Sequence, residues 1–178
     1  MEAKPIKPCR QICLAFILFL LIIYLSGCAG KTVVLKPLEA KQPFSSVEIS
    51  EEDSTVNVPT DIKQVFLQYM ETFIYEEGLF HKGRDLTIKY AFTQYNRGNQ
   101  FMRWLSGGIG GAGKGSVTIE AKFINQTGQE LAAIQIEGEI SSGGFGGDFE
   151  YTLFQCAKAI AKYTKRNFRP ITRNPRSG

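Results

Sequence analysis

The opening 28 residues constrain this chain more than any other stretch. Lys4, Lys7 and Arg10 give a basic start, and Ile12 to Leu25 is almost unbroken Ile, Leu, Phe, Ala and Tyr. Ser26 and Gly27, both small, then precede Cys28. A charged start, an apolar middle and small residues before a cut form the three-part plan of an export signal. The run from Ile12 to Ala29 also approaches the roughly 18 apolar residues that can span a bilayer, so an uncleaved anchor fits the pattern too. In both readings the basic end stays inside and everything after Cys28 lies outside the cytoplasm.

Leu25-Ser26-Gly27-Cys28 resembles the lipobox of bacterial lipoproteins. That resemblance implies a diacylglyceryl group on the Cys28 thiol, cleavage between Gly27 and Cys28, and acylation of the new amino terminus. Two or more acyl chains hold a protein on a membrane where one does not, at about 0.8 kcal/mol per buried CH₂. Ala29 is not Asp, and by resemblance to the enterobacterial sorting rule the expected location is the outer membrane, with the domain facing the periplasm. An inner-membrane lipoprotein and an uncleaved anchor are the other two readings.

Removing 27 of 178 residues leaves 151, a length that suits one domain and can bury a core without disulfides. It also changes the charge. The mature part carries 18 Lys and Arg against 16 Asp and Glu, about +2 rather than +4, which gives no reason to expect nucleic acid as a partner. Of the four cysteines, Cys9 and Cys13 fall in the signal and Cys28 is spent on lipid. Cys156 alone remains, so no internal disulfide can form. With His81 the only histidine, no His/Cys metal set is available either, and no metal or cofactor is expected.

The rest of the chain alternates between two periodicities. Residues 28–43 read as a lipidated tether, although Val33-Val34-Leu35 could pair as a short strand. Phe44 to Ser50 alternates and predicts a first strand. Pro59-Thr60-Asp61 predicts a helix start with Thr60 as cap, and Gly78 a stop. Between them Ile62, Val65, Phe66, Tyr69, Met70, Phe73 and Ile74 repeat at the spacing of one buried helical face. Asp85–Asn96, Ser116–Asn125 and Leu131–Ser141 alternate with period two, and Asn125-Gln126-Thr127-Gly128 supplies the turn of a hairpin. Asp148 is a candidate cap for a last helix whose stripe is Phe149, Leu153, Cys156, Ala157, Ile160 and Thr164. The order β-α-β-β-β-α predicts an α+β two-layer sandwich, a mostly antiparallel sheet with two helices on one face. The expected layout is signal 1–27, tether 28–43, one domain 44–168 and a disordered basic tail 169–178.

Gly107 to Gly115 satisfies both GxGxxG and GxxxxGK. Both patterns cradle phosphate at a helix start, and the P-loop also needs Ser or Thr after its lysine. Here an alternating strand follows and Gly115 stands after Lys114, so nucleotide binding is set aside. A second glycine-rich stretch, Gly143 to Gly147, leaves the hairpin on the side where the first arrives. Trp104, Leu105, Ile109 and Phe145 are therefore the candidate partner surface, an apolar set beside two glycine-rich loops. No catalytic residue is proposed. Ser141 and Ser142 have no histidine partner, and Glu137 and Glu139 point outward from one strand. Glu51, Glu52 and Asp53 lack the spacing of a calcium loop.

The run Arg103-Trp104-Leu105, glycine-rich loop, Lys114-Gly115, strand, Gly128, strand, Gly143 to Gly147 and final helix resembles the bacterial lipoproteins that carry domain of unknown function 4410. The resemblance covers roughly Phe44 to Phe168 and implies no activity and no catalytic residues. In topology alone, the order of elements also resembles the lipopolysaccharide-assembly lipoprotein that plugs an outer-membrane barrel, and the amino-terminal domains of TolB-type periplasmic proteins. The expected function is a non-enzymatic, lipid-anchored envelope module that binds a protein partner or supports an envelope assembly. The alternative is a small-ligand or lipid carrier with the aromatic helix face and glycine loops as its mouth.

Overall fold

The computed structural model describes residues 31–76, 78–99, 115–139 and 149–170. In chain order its elements are β1 (Lys31–Lys36), β2 (Ser46–Glu51), α1 (Thr60–Tyr75), β3 (His81–Lys82), β4 (Leu86–Asn96), β5 (Ser116–Asn125), β6 (Glu130–Glu139) and α2 (Phe149–Phe168). The strands form one sheet in the order β1-β6-β5-β4-β2-β3. Pairing is antiparallel from β1 through β4, while β2 runs parallel to both β4 and β3. The parallel pair follows from α1, which carries the chain back between β2 and β4. The fold is the expected α+β two-layer arrangement, with both helices and one sheet face enclosing a shared core.

Three elements differ from the sequence reading. The two-residue β3 adds an edge strand beyond the expected order. Within the expected tether, Lys31–Lys36 forms the short strand left open at Val33-Val34-Leu35, so the expected first strand is β2. Its residues pair with β6 from Lys31↔Glu137 to Lys36↔Ala133. Ion pairs close both ends, Lys31 to Glu137 at 3.5 Å and Lys36 to Glu130 at 3.7 Å. Thr60 is the third difference. Pro59, in extended conformation, occupies the cap position of α1, and no side chain caps the helix. The Pro59 carbonyl accepts from the Lys63 amide at 3.2 Å, so Thr60 is already inside the first turn.

The predicted apolar faces become the core. On α1, Ile62, Phe66, Met70 and Ile74 are buried. The Phe66 ring meets Tyr90 and Phe92 edge-on, with centroids 5.1 and 5.4 Å away. Val65, Tyr69 and Phe73 flank that stripe and are half-buried. On α2 every residue of the predicted stripe is buried, and Phe168 closes the far end against Phe123 at 5.1 Å. The buried Thr164 hydroxyl donates to the Ile160 carbonyl at 2.9 Å, which removes the cost of an unpaired donor in the core. The aromatic face of α1 thus packs against the sheet and α2.

The hairpin is built as its turn residues suggest. The Asn125 Oδ1 accepts from the Thr127 amide at 3.1 Å, the Thr127 hydroxyl at 2.7 Å and the Gln129 amide at 2.9 Å. Gly128 then takes φ +82°, the left-handed conformation that glycine adopts without a Cβ penalty.

Candidate functional site

One end of the sheet gathers the flanks of both glycine-rich stretches. Asn96 pairs with Ser116, and Ser116 with Glu139, so the chain leaves β4, joins β5 and leaves β6 side by side. Phe149 begins α2 at the same end, packed edge-on against Tyr95 with centroids 5.5 Å apart. Lys31 reaches it too, through Glu137. Trp104, Leu105, Ile109 and Phe145 lie outside the described residues, as do Cys28, Ser141, Ser142 and Asp148. The two loops therefore depart from neighbouring strand ends, as the hairpin reading expected.

Next to these flanks the open sheet face carries a groove of about 450 Å³, lined by Thr93, Gln94, Ser116, Thr118, Gln135 and Glu137 among others. A bulge in β4 makes it. The register with β5 shifts between Phe92 and Gln94, so the inward phase of Leu86, Ile88, Tyr90 and Phe92 resumes at Tyr95. An extra residue in one strand re-aims the side chains beside it. Here it turns Thr93 and Gln94 together toward the open face. The Thr93 hydroxyl donates to the Thr118 carbonyl at 3.3 Å. The Thr118 hydroxyl donates to Gln94 Oε1 at 3.2 Å, and Gln94 Nε2 to Ser116 Oγ at 3.4 Å. Gln135 Nε2 donates to Glu137 Oε1 at 3.1 Å, while Lys31 holds the other carboxylate oxygen. Sequence reading missed this set. The signal was present in the three-residue step from Phe92 to Tyr95, which breaks a strict alternation.

The groove can exchange hydrogen bonds with a polar partner. Cross-strand pairing sets Thr118 opposite Glu137 and Ser116 opposite Glu139, while the hydroxyls of Thr93, Thr118 and Ser116 bond to the backbone and to Gln94. His81 sits exposed in β3, at the sheet edge away from the groove rather than in a loop. Cys156 is buried under β6, where desolvation pushes its thiol up to about 12. Glu51 and Glu52 are engaged by lysines. Lys63 meets Glu51 at 2.5 Å, and Lys122 donates to Glu52 at 2.7 Å. The hydrogen bond from Lys122 holds the Glu52 carboxyl below its usual range and raises Lys122 in turn. Among the described residues no group of His, Cys, Asp and Glu is arranged to hold a metal, and no helix is long and apolar enough to cross a membrane.

Residues 60–144, from the start of α1 to the second glycine-rich stretch, match the family described as Domain of unknown function (DUF4410). Over these residues the chain is similar to the DUF4410 family. The matched span contains α1, the β4–β5–β6 ladder and both glycine-rich connections or their starts. No curated protein matches the chain. A solved structure of similar fold is the PelC dodecamer from Paraburkholderia phytofirmans. It is 9% identical, covers 79% of this chain and 99% of its own, and superposes with a TM-score of 0.54. A Leu-to-Met variant of the same PelC dodecamer is 8% identical and covers 74% and 93% of the two chains, with a TM-score of 0.49. At such identity this chain and PelC share a fold.

Proposed function

We propose that this chain is a non-enzymatic envelope lipoprotein that is fixed to the outer membrane through acylated Cys28, faces the periplasm, and works by binding protein. The leader ending in Leu25-Ser26-Gly27-Cys28 carries the reading, because no other stretch specifies a chemical event at a named atom. The fold supports it. β1 begins at Lys31, three residues after Cys28, and three residues reach at most about 10 Å, which would keep β1 close to the bilayer. The groove of hydroxyl, amide and carboxylate side chains suits recognition of a polar partner. PelC, of similar fold, is a dodecamer, which favours a module that works within an assembly.

Labelling in growing cells with a clickable palmitate analogue tests the anchor. The parent chain should be labelled and Cys28→Ala should not; a labelled Cys28→Ala chain would overturn the assignment. Crosslinking in intact cells followed by mass spectrometry tests the role. A recurrent protein partner, or crosslinked copies of this chain, is expected. A bound lipid with no protein would instead establish the carrier reading.

A further inference from the structure

We propose that the groove between the Lys41–Pro43 segment and the carboxy-terminal end of α2 binds an acidic segment of a partner protein. The inference rests on the protein-binding reading above and names the chemistry of the partner. The groove encloses about 620 Å³ and is lined by Lys41, Pro43, Lys165, Arg166, Arg169 and Pro170 among others. Four of these side chains are cationic and none of the lining residues is acidic.

Six other cations, Lys31, Lys36, Lys63, Lys82, Arg84 and Lys122, each meet a glutamate within 4 Å. Among the described residues, Lys41, Arg166 and Arg169 are in no ion pair, and neither are Lys89, Arg97, Lys158 and Lys162. What distinguishes the groove is that cations from two separate chain segments line one cavity with no acidic side chain. A helix carboxy terminus favours cations in its last turn, which accounts for Lys165 and Arg166. It does not account for Lys41, which comes from the β1–β2 connection, or for Arg169, which follows the helix.

The two walls are joined rather than merely adjacent. The Phe44 amide donates to the Phe168 carbonyl at 2.9 Å, and their rings pack with centroids 5.9 Å apart. Phe168 is itself fully buried. The spacing of the cations is therefore largely set before any ligand arrives, which lowers the ordering cost of binding. Arginine forks recognise carboxylates with two parallel hydrogen bonds, so Arg166 and Arg169 suit carboxylate side chains spaced along an extended chain.

Position selects the source of the anion. Lys31, just after the lipidation cysteine, lies at the sheet end where α2 begins, since Gly138 beside it packs on Thr152 and Cys156. The groove is at the other end of α2, whose 20 residues span about 30 Å. An anchored domain turns this end away from the bilayer headgroups and toward soluble or neighbouring proteins.

The test uses the full chain in detergent and a fluorescent oligoglutamate of about ten residues, followed by anisotropy. Binding should weaken as salt rises, because exposed charges more than about 8–10 Å apart are screened. Arg166→Glu with Arg169→Glu should weaken it by at least about tenfold, the scale of losing close charge pairs. Lys82→Glu with Arg97→Glu makes the same charge change away from the groove and should leave binding within about twofold. Matching circular dichroism would show that both pairs fold. Equal losses in the two pairs, or no binding by the parent chain, would overturn the proposal. So would groove-dependent binding to phosphatidylglycerol vesicles without peptide binding, which would assign the groove to headgroups. Partner crosslinks in cells that survive the Arg166/Arg169 change would sink the groove and leave the protein-binding reading standing. Absence of any crosslinked protein would sink that reading itself.

Discussion

Gly138 faces Cys156 so closely that a Cβ added to the glycine would lie 2.8 Å from Sγ, and 2.6 Å from the Thr152 methyl. β6 and α2 approach closely here, and neither neighbour is the loose end of a flexible side chain. Gly138→Ala should therefore destabilise the domain by about 1–3 kcal/mol, the usual cost of overpacking. Cys156→Ala in that background removes one of the two clashes and should recover part of the loss. Urea denaturation of the single and double variants measures both. A neutral Gly138→Ala would mean that α2 can slide away from the sheet at no cost.

Burial of Cys156 predicts a thiol that is chemically silent until the domain unfolds. Desolvation pushes it from about 9 up to about 12 and so withholds the thiolate that alkylating reagents need. Tyr75 is pushed from about 10 up to about 12, mainly by burial, with Glu71 and Glu48 adding to it. It donates its hydroxyl to the Val47 carbonyl at 2.9 Å. Tyr90 is raised as well, first by burial and then by Glu51. In each case the folded state holds its proton to higher pH than the unfolded chain. The contribution of these groups to stability is therefore flat below about pH 9 and falls as pH rises from about 9 to about 12, where the unfolded state releases protons first. Iodoacetamide should leave Cys156 unmodified at pH 8 and alkylate it in urea. Thermal melts should lose midpoint steadily above pH 9. Rapid alkylation of the folded chain would show that α2 opens locally.

Much of the fold was legible because hydrophobic spacing decides which face of an element is buried. Ile62, Phe66, Met70 and Ile74 repeat at helical spacing, and Val117, Ile119, Ala121 and Phe123 at strand spacing, and all eight are core. Edge pairing is decided differently. In β1, Val34 and Leu35 remain about half exposed, so the strand is held by backbone ladder and terminal lysines and leaves little apolar signature. The short β3 has no periodicity to read at two residues. The polar groove was hidden because the β4 bulge inverts the alternation after Phe92, and the basic groove because Lys41 and Arg169 stand more than a hundred residues apart. The four residues of the candidate apolar surface lie outside the described residues, while the neighbouring strand ends that bear their loops are as the hairpin pattern implied.

The Glu52–Lys122 pair predicts a small effect with a definite pH dependence. Both side chains are about one-third exposed, so solvent screening limits the pair to about 0.2–1 kcal/mol. The Glu52 carboxyl is held below its usual 4.5, first by the Lys122 hydrogen bond. A depressed carboxyl contributes stability above its unfolded pKa and loses it as pH falls through the folded value. Glu52→Gln should thus cost a fraction of a kcal/mol at pH 7, and the difference from the parent should vanish on acidification below the folded pKa of Glu52. Paired urea titrations at the two pH values would reveal it. An unchanged deficit at low pH would show that the amide disturbs packing rather than charge.

The turn at Asn125 offers a sharper test of how the hairpin is held. One Asn125 oxygen accepts three hydrogen bonds, from both donors of Thr127 and from the Gln129 amide. An intramolecular hydrogen bond contributes about 0.5–1.5 kcal/mol, and a Cβ at positive φ costs about 1–2 kcal/mol. Asn125→Ala and Gly128→Ala should each destabilise the domain by about 1–2 kcal/mol through different causes. Gly128→Asn should recover much of the second loss, because asparagine tolerates the left-handed conformation. It should not recover the first. Thermal denaturation of the three single variants, with Asn125→Ala/Gly128→Asn as the fourth, separates the two causes. If Gly128→Asn were as damaging as Gly128→Ala, the turn would need the missing Cβ rather than the backbone freedom, although nothing lies within 4 Å of the Cβ position.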